Sequence, residues 1–178
     1  DELLAVGVGL AFGHAASTTL ERLAQAADVA GAMGIGAVAD RVLMVVGITK
    51  KVAPTFITTA ESLGFIIDSG DPRRHVIACA GAPICASAHI ASRALAPLVA
   101  QIAAPHLDDL HQIHISGCAK GCARASSATL TIVGSPDGCA LITNGSARDA
   151  PFAAIATNEL SAAIDRHFRA TAPEGSHV

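Results

Sequence analysis

Four of the five cysteines in this 178-residue chain form two pairs. Cys79 and Cys85 have five residues between them, Cys118 and Cys122 have three, and thirty-two residues separate the pairs. Thiolates are soft ligands, and sets of four hold iron–sulfur clusters or structural zinc. The neighbours favour the first. The segments Cys79-Ala80-Gly81-Ala82-Pro83-Ile84-Cys85 and Gly117-Cys118-Ala119-Lys120-Gly121-Cys122-Ala123 consist almost entirely of small residues. A cubane is bulky, and its sulfides accept hydrogen bonds from backbone N–H groups that must come close. Zinc knuckles prefer two-residue gaps and polar neighbours. The reading that follows is one [4Fe–4S] cluster on Cys79, Cys85, Cys118 and Cys122. A zinc site, two disulfides and four unrelated buried thiols are its rivals. Cys139 stands apart and reads as a packing residue, because a cubane takes four thiolates.

The elements must bring two distant loops together. Leu4–Phe12 alternates, with Leu4, Val6, Val8, Leu10 and Phe12 on one face and small residues on the other, which predicts a strand. Thr18 and Glu21 have capping-box spacing ahead of a helical stripe at Leu20, Leu23, Ala24 and Ala27, and Gly31, Gly34 and Gly36 end that helix. A strand over Arg41–Ile48 and a helix from Val52 to Leu63, with Pro54 in its first turn and Gly64 past its end, follow. Ser69-Gly70-Asp71-Pro72 reads as a turn. A short strand, His75–Ala78, leads into the first pair, and Leu110–Ser116 leads into the second. Between them Ala86–Ala104 reads as a helix bent at Pro97. Ala128–Gly134 and Cys139–Asn144 flank the hairpin turn Ser135-Pro136-Asp137-Gly138. A last helix runs from Thr157, as N-cap, to Phe168, and a flexible tail begins at Thr171. The fold class expected is α+β. Residues 1–68 form a ferredoxin-like half-domain, 69–170 an iron–sulfur α/β domain, and 171–178 the tail.

Composition removes several functions. Twelve basic against fifteen acidic residues, with no Trp and no Tyr, argue against nucleic-acid binding and against stacking platforms for single strands. The apolar runs Val42–Ile48 and Ala94–Pro105 are too short to span a membrane. Asp1-Glu2 lacks the basic start of a signal peptide, so a cytoplasmic location is expected. No Ser–His–Asp set is convincing. Gly7-Val8-Gly9 lacks the third glycine of a phosphate loop and reads as a close-packing strand. His111 and His114 precede the second pair and receive no role, and the catalytic residues stay unassigned.

At the cysteines the chain resembles the sulfite and nitrite reductase superfamily, whose cluster signature is C-x5-C…C-x3-C with Gly before the third Cys. Within it, His75–Ala88, Ile113–Ala123 and Ala128–Gly145 look most like the precorrin-3B synthase family of cobalamin biosynthesis. The reductases usually carry Asn where this chain has Lys120. That family often has His and Pro soon after the fourth Cys, where this chain has Arg124-Ala125. Its members are over twice this length, with two related halves, and this chain resembles the second, so it is expected to be a fragment lacking an N-terminal half.

The resemblance implies a sulfite/nitrite-reductase-type iron–sulfur domain beside a sirohaem or a second iron centre, with Cys122 at the cysteine that also ligates haem iron. It implies an O2-dependent hydroxylation of precorrin-3A with lactone formation, by an oxidoreductase fed by a donor the sequence does not name. A tetrapyrrole substrate carries many carboxylates, so Lys120 and Arg124, beside Cys122, are candidate substrate-binding cations. Their plain alternative is solvated loop charge. Lys50-Lys51 and Arg73-Arg74 are weaker candidates. Rival functions are a sirohaem sulfite or nitrite reductase domain, a non-enzymatic electron-transfer fragment and a zinc-stabilised interaction module.

Overall fold

A computed structural model describes residues 2–108 and 110–171. The chain divides into two compact units, Asp1–Arg74 and His75–Val178. The turn before the division is bonded back into the first unit: Arg73 donates to Asp71 and to the Gly64 carbonyl, Arg74 donates to the Ser69 carbonyl, and Arg41 donates to the Arg74 carbonyl.

The first unit holds strand β1 (Leu3–Gly9), helix α1 (Ser17–Val29), strands β2 (Gly34–Val38) and β3 (Val42–Thr49), and helix α2 (Ala53–Ser62). The antiparallel sheet has the order β1-β3-β2. Val6, Val8, Val45 and Ile48 pack with Leu23 and Ala27 of α1 and Ala53, Phe56 and Ala60 of α2. The alternation in β1 therefore does what it predicts, sending the bulky face inward and leaving Ala5 and Gly7 exposed.

Three local expectations are corrected. β1 stops at Gly9, because Gly9 exchanges both backbone bonds with Ile66 (2.7 and 2.9 Å) and the chain then turns through Ala11–Gly13, with Phe12 at φ 58°. Phe12 thus lies outside the strand. The Thr18–Glu21 capping box does not form: α1 begins at Ser17, so Thr18 is already inside it, and its N-cap Ala16 has no side-chain oxygen to offer. Gly34 and Gly36 lie in β2, which glycine content had hidden.

The second unit holds strand β4 (Val76–Ala78), helix α3 (Ser92–Ala103), strands β5 (Ile113–Ser116), β6 (Ala128–Ser135), β7 (Gly138–Gly145) and β8 (Ala153–Ile155), and helix α4 (Leu160–Thr171). The sheet has the order β4-β5-β6-β7-β8. The first three strands run parallel and the last three are antiparallel neighbours. On one face Ile113 and Ile115 stand beside Leu130 and Ile132, then Leu141, all essentially without exposure. α3 packs on β4 and β5, and α4 on α3. β5 is buried on both faces, as an inner parallel strand should be.

Here too the boundaries shift. α3 starts at Ser92, not near Ala86. The intervening backbone is spent on other partners: Ala82 N–H donates to the Ile90 carbonyl, Ala88 N–H to Cys85, and His89 N–H to Gly117. Pro97 lies within α3. The last helix begins at Leu160 after a 3-10 turn over Thr157–Glu159, and the Glu159 carboxylate, not the Thr157 hydroxyl, caps it by accepting the Ala156 N–H. Thr171 closes α4, and the rest of the expected tail, 172–178, falls outside the described residues. Among the described residues no helix is long and apolar enough to cross a membrane.

Leu130 lies in the middle of the sheet with no exposure. Leu130→Ala is expected to cost about 2–5 kcal/mol, seen as a lower urea midpoint with an unchanged denaturant slope.

Candidate metal centre

β4 and β5 are adjacent and parallel, with Val76 opposite Ile113 and Ala78 opposite Ile115. Parallel neighbours end at the same sheet edge, so the loops that follow them emerge side by side. The ladder extends one step further, where Cys79 N–H donates to the Ile115 carbonyl at 3.1 Å. Cys79 therefore sits at the tip of β4, and Cys118 two residues past the tip of β5.

Three bonds then stitch the two loops together. The Gly117 N–H donates to the Cys79 Sγ at 3.1 Å. His89 N–H donates to the Gly117 carbonyl at 2.8 Å. Lys120 Nζ donates to the Ser87 hydroxyl at 2.8 Å. Within the second loop the Ser116 hydroxyl donates to the Cys118 carbonyl at 2.6 Å.

Close approach depends on two glycines. A Cβ on Gly117 would stand 2.6 Å from the Ala88 Cβ and 3.4 Å from the Gly81 Cα. One on Gly81 would collide with the Ser92 backbone nitrogen, and Gly81 also has φ +65°. Each Cys loop thus contributes a residue with no side chain at the point where the backbones meet.

All five cysteines are free, so no disulfide joins the pairs. Cys79, Cys85 and Cys118 are half-buried, Cys122 is exposed and Cys139 is buried. Burial raises the Cys139 thiol pKa, which keeps it protonated and inert. Among the described residues no group of three or more His, Cys, Asp or Glu is gathered so that it could hold a metal ion. The features that fit a cluster lie in the chemistry of the donors: four unbridged thiols on two bonded loops, a backbone N–H already aimed at one sulfur, and glycines where a Cβ would intrude.

The cations sort clearly. Lys120 and Arg124 border one small cavity of about 80 Å3, together with Gly121, Ala125, Ser146, Ala147 and Arg148. Arg124 Nε donates to the Ser127 carbonyl at 2.9 Å. Arg148 was not singled out in the sequence, because only the return of β7 toward the second Cys loop brings it there. Its loop is pinned by Asp149, whose carboxylate accepts the N–H and hydroxyl of Ser146 and is held below the usual pKa by those bonds. The weaker candidates have local work in the first unit, Lys50 pairing with Glu2 and Arg73 with Asp71. Arg74 donates to the Ser69 carbonyl.

His111 binds Asp108 through Nδ1 at 2.6 Å. His114 is fully buried on β5, and neither ring nitrogen has a hydrogen-bond partner among the described residues. It lies under the second Cys loop, its Cε1 4.0 Å from where a Gly121 Cβ would be. Burial, and then the positive charge of Arg124, push its pKa down to about 4. It is neutral at pH 7.

No family model matches the chain. It is 35% identical over 161 residues to a precorrin-3B synthase from Sinorhizobium sp, a match covering 90% of this chain and 35% of that protein. The chain thus spans about a third of the length of that curated relative. Its fold matches that of the Mycobacterium tuberculosis NirA protein with a TM-score of 0.78 at 23% identity, over 97% of this chain and 36% of that one.

Two outcomes follow from this geometry. Unfolded His114 takes a proton near its ordinary pKa of 6.5, whereas the folded chain resists until about 4. Stability is therefore complete above 6.5 and falls as pH drops through the window from 6.5 to 4, by ~3 kcal/mol in all. His114→Leu is expected to flatten that part of a melting-temperature-against-pH curve. Gly117→Ala is expected to lower the melting temperature at every pH, because its methyl group has no room between the loops.

Proposed function

We propose that the chain is the cluster-bearing part of a precorrin-3B synthase-like oxidoreductase, with Cys79, Cys85, Cys118 and Cys122 as the ligands of one [4Fe–4S] cluster. The observation that carries this is the stitching of the two Cys loops through Gly117, one bond ending on a cysteine sulfur. The 35% identity to a precorrin-3B synthase runs through both loops and supports the choice of substrate class. The reaction proposed is the O2-dependent hydroxylation of precorrin-3A with closure of a lactone by a ring acetate.

A bound cluster supplies one-electron transfer, which no side chain offers. The chain's own residues do the rest. Gly117 N–H stabilises charge on the Cys79 sulfur. Lys120 holds the loops in register through Ser87. With Arg124 and Arg148 it also presents positive charge to the small cavity. A space of about 80 Å3 takes a carboxylate and a water or two, given roughly 30 Å3 per water. It is the right scale for the acidic tip of a tetrapyrrole side chain and far too small for the ring. The remaining contacts to such a ring are assigned to the parts of the longer relative that this chain does not span, a partner half to be supplied.

A sirohaem sulfite or nitrite reductase is the second reading, because the fold is shared with NirA. An absorption spectrum of the chain purified without oxygen separates the two, sirohaem bands favouring the reductase.

Iron and sulfide analysis tests the ligand set. Cys85→Ser is expected to abolish iron binding and Cys139→Ser to leave it intact; equal loss in both sinks the assignment, and zinc in place of iron sinks the cluster. With the parts of the longer relative that this chain does not span supplied alongside it, Arg124→Gln and Arg148→Gln are each expected to raise KM for the tetrapyrrole about tenfold with kcat little changed, the scale of one hydrogen bond to a charged group.

A further inference from the structure

The cluster corner at Cys79 differs from the other three in what surrounds its sulfur. Two polar groups from different parts of the chain converge on it. The Gly117 N–H lies 3.1 Å from Sγ, and the Ser92 hydroxyl lies 3.4 Å from it. Ser92 has no exposure at all. Its side chain has no other hydrogen-bond partner among the described residues, so Cys79 is what satisfies it. Ser92 is also the first residue of the twelve-residue α3, so the positive end of that helix dipole faces the same corner. No hydrogen bond to a side-chain sulfur is found for Cys85, Cys118 or Cys122 among the described residues.

Resting on the cluster reading above, we propose that Ser92 is a tuning residue: its buried hydroxyl donates to the Cys79 thiolate and raises the reduction potential of the cluster. The thiol of free Cys79 can act as donor or acceptor, but a metal-bound thiolate has no proton. The hydroxyl is then the donor, and the bond strengthens as the cluster gains an electron and its sulfurs become more negative. The reduced state gains more than the oxidised state, which shifts the potential upward. Burial keeps water from replacing the bond if the hydroxyl is removed. Position supports the same view. Ser92 is not a helix cap, since the N-cap is Ala91 and makes no side-chain bond. A small residue is required beside Gly81, but packing alone would be served equally by Ala.

The test is a potentiometric titration followed by electron paramagnetic resonance on the anaerobically purified chain. Ser92→Ala is expected to retain iron and sulfide and to show a lower midpoint potential. Ser92→Thr, which keeps the hydroxyl, is expected to restore most of it. Resonance Raman gives a second readout, the terminal Fe–S stretch rising in Ser92→Ala as the Fe–S bond is relieved of its hydrogen bond. An unchanged potential and stretch in Ser92→Ala, with the cluster intact, overturns the proposal. Iron lost from both variants overturns it too, because the position and not the hydroxyl then matters. Iron lost from Ser92→Ala but kept by Ser92→Thr supports it. A wild-type chain that binds no iron defeats the cluster reading instead, and the two failures are told apart by that first measurement.

Discussion

The second unit depends on backbone meeting backbone at Gly117. Its N–H reaches the Cys79 sulfur, its carbonyl takes the His89 N–H, and its missing side chain leaves the space that Ala88 and Gly81 occupy. A third close neighbour is the end of β6, where Gly134 lies against the Gly117 carbonyl, close enough that an added Cβ would stand 2.5 Å from that oxygen. Three segments distant in sequence are thus pressed into one contact. Three parallel strands bring them there, since β4, β5 and β6 deliver their C-terminal ends to one edge. The cysteines are side chains on a junction that the glycines make.

The ligand candidates and their supporting strands were readable because the signals are local. A cysteine spacing, a run of small residues and a β-branched strand can each be recognised without knowing the fold. Strand alternation in β1 and the Pro54–Gly64 bracketing of α2 were legible for the same reason. The errors share a different cause. Ala86–Ala91 has the composition of a helix, but the Ala88 and His89 N–H groups are claimed by the Cys85 and Gly117 carbonyls and the Ile90 carbonyl by the Ala82 N–H, and these partners won over propensity. The Thr18 cap failed because a capping box constrains only spacing, while the chain entered the helix two residues earlier, with Ala16 as the N-cap.

Arg148 and Ser92 show what no motif could reveal. Arg148 reaches the cation cluster only because the β6–β7 hairpin carries the chain back beside the second Cys loop. Ser92 reaches Cys79 across thirteen residues, because the first loop folds over Gly81 before α3 begins. Both are products of topology. Lys120 and Arg124, by contrast, were visible from adjacency to Cys122 alone, and the structure adds that Lys120 is shared between a tie to Ser87 and the cavity.

Exposure is uneven around the four thiols. Three are half-buried and Cys122 alone is open to solvent. Peroxide and dioxygen attack the most accessible sulfur first, and oxidation past the sulfenic stage is not reversed without dedicated repair. Among the four thiols Cys122 is therefore the one most open to oxidants from solvent. Samples left in air should decay from the Cys122 side inward, and the shelf life of the molecule is written into one unshielded loop residue.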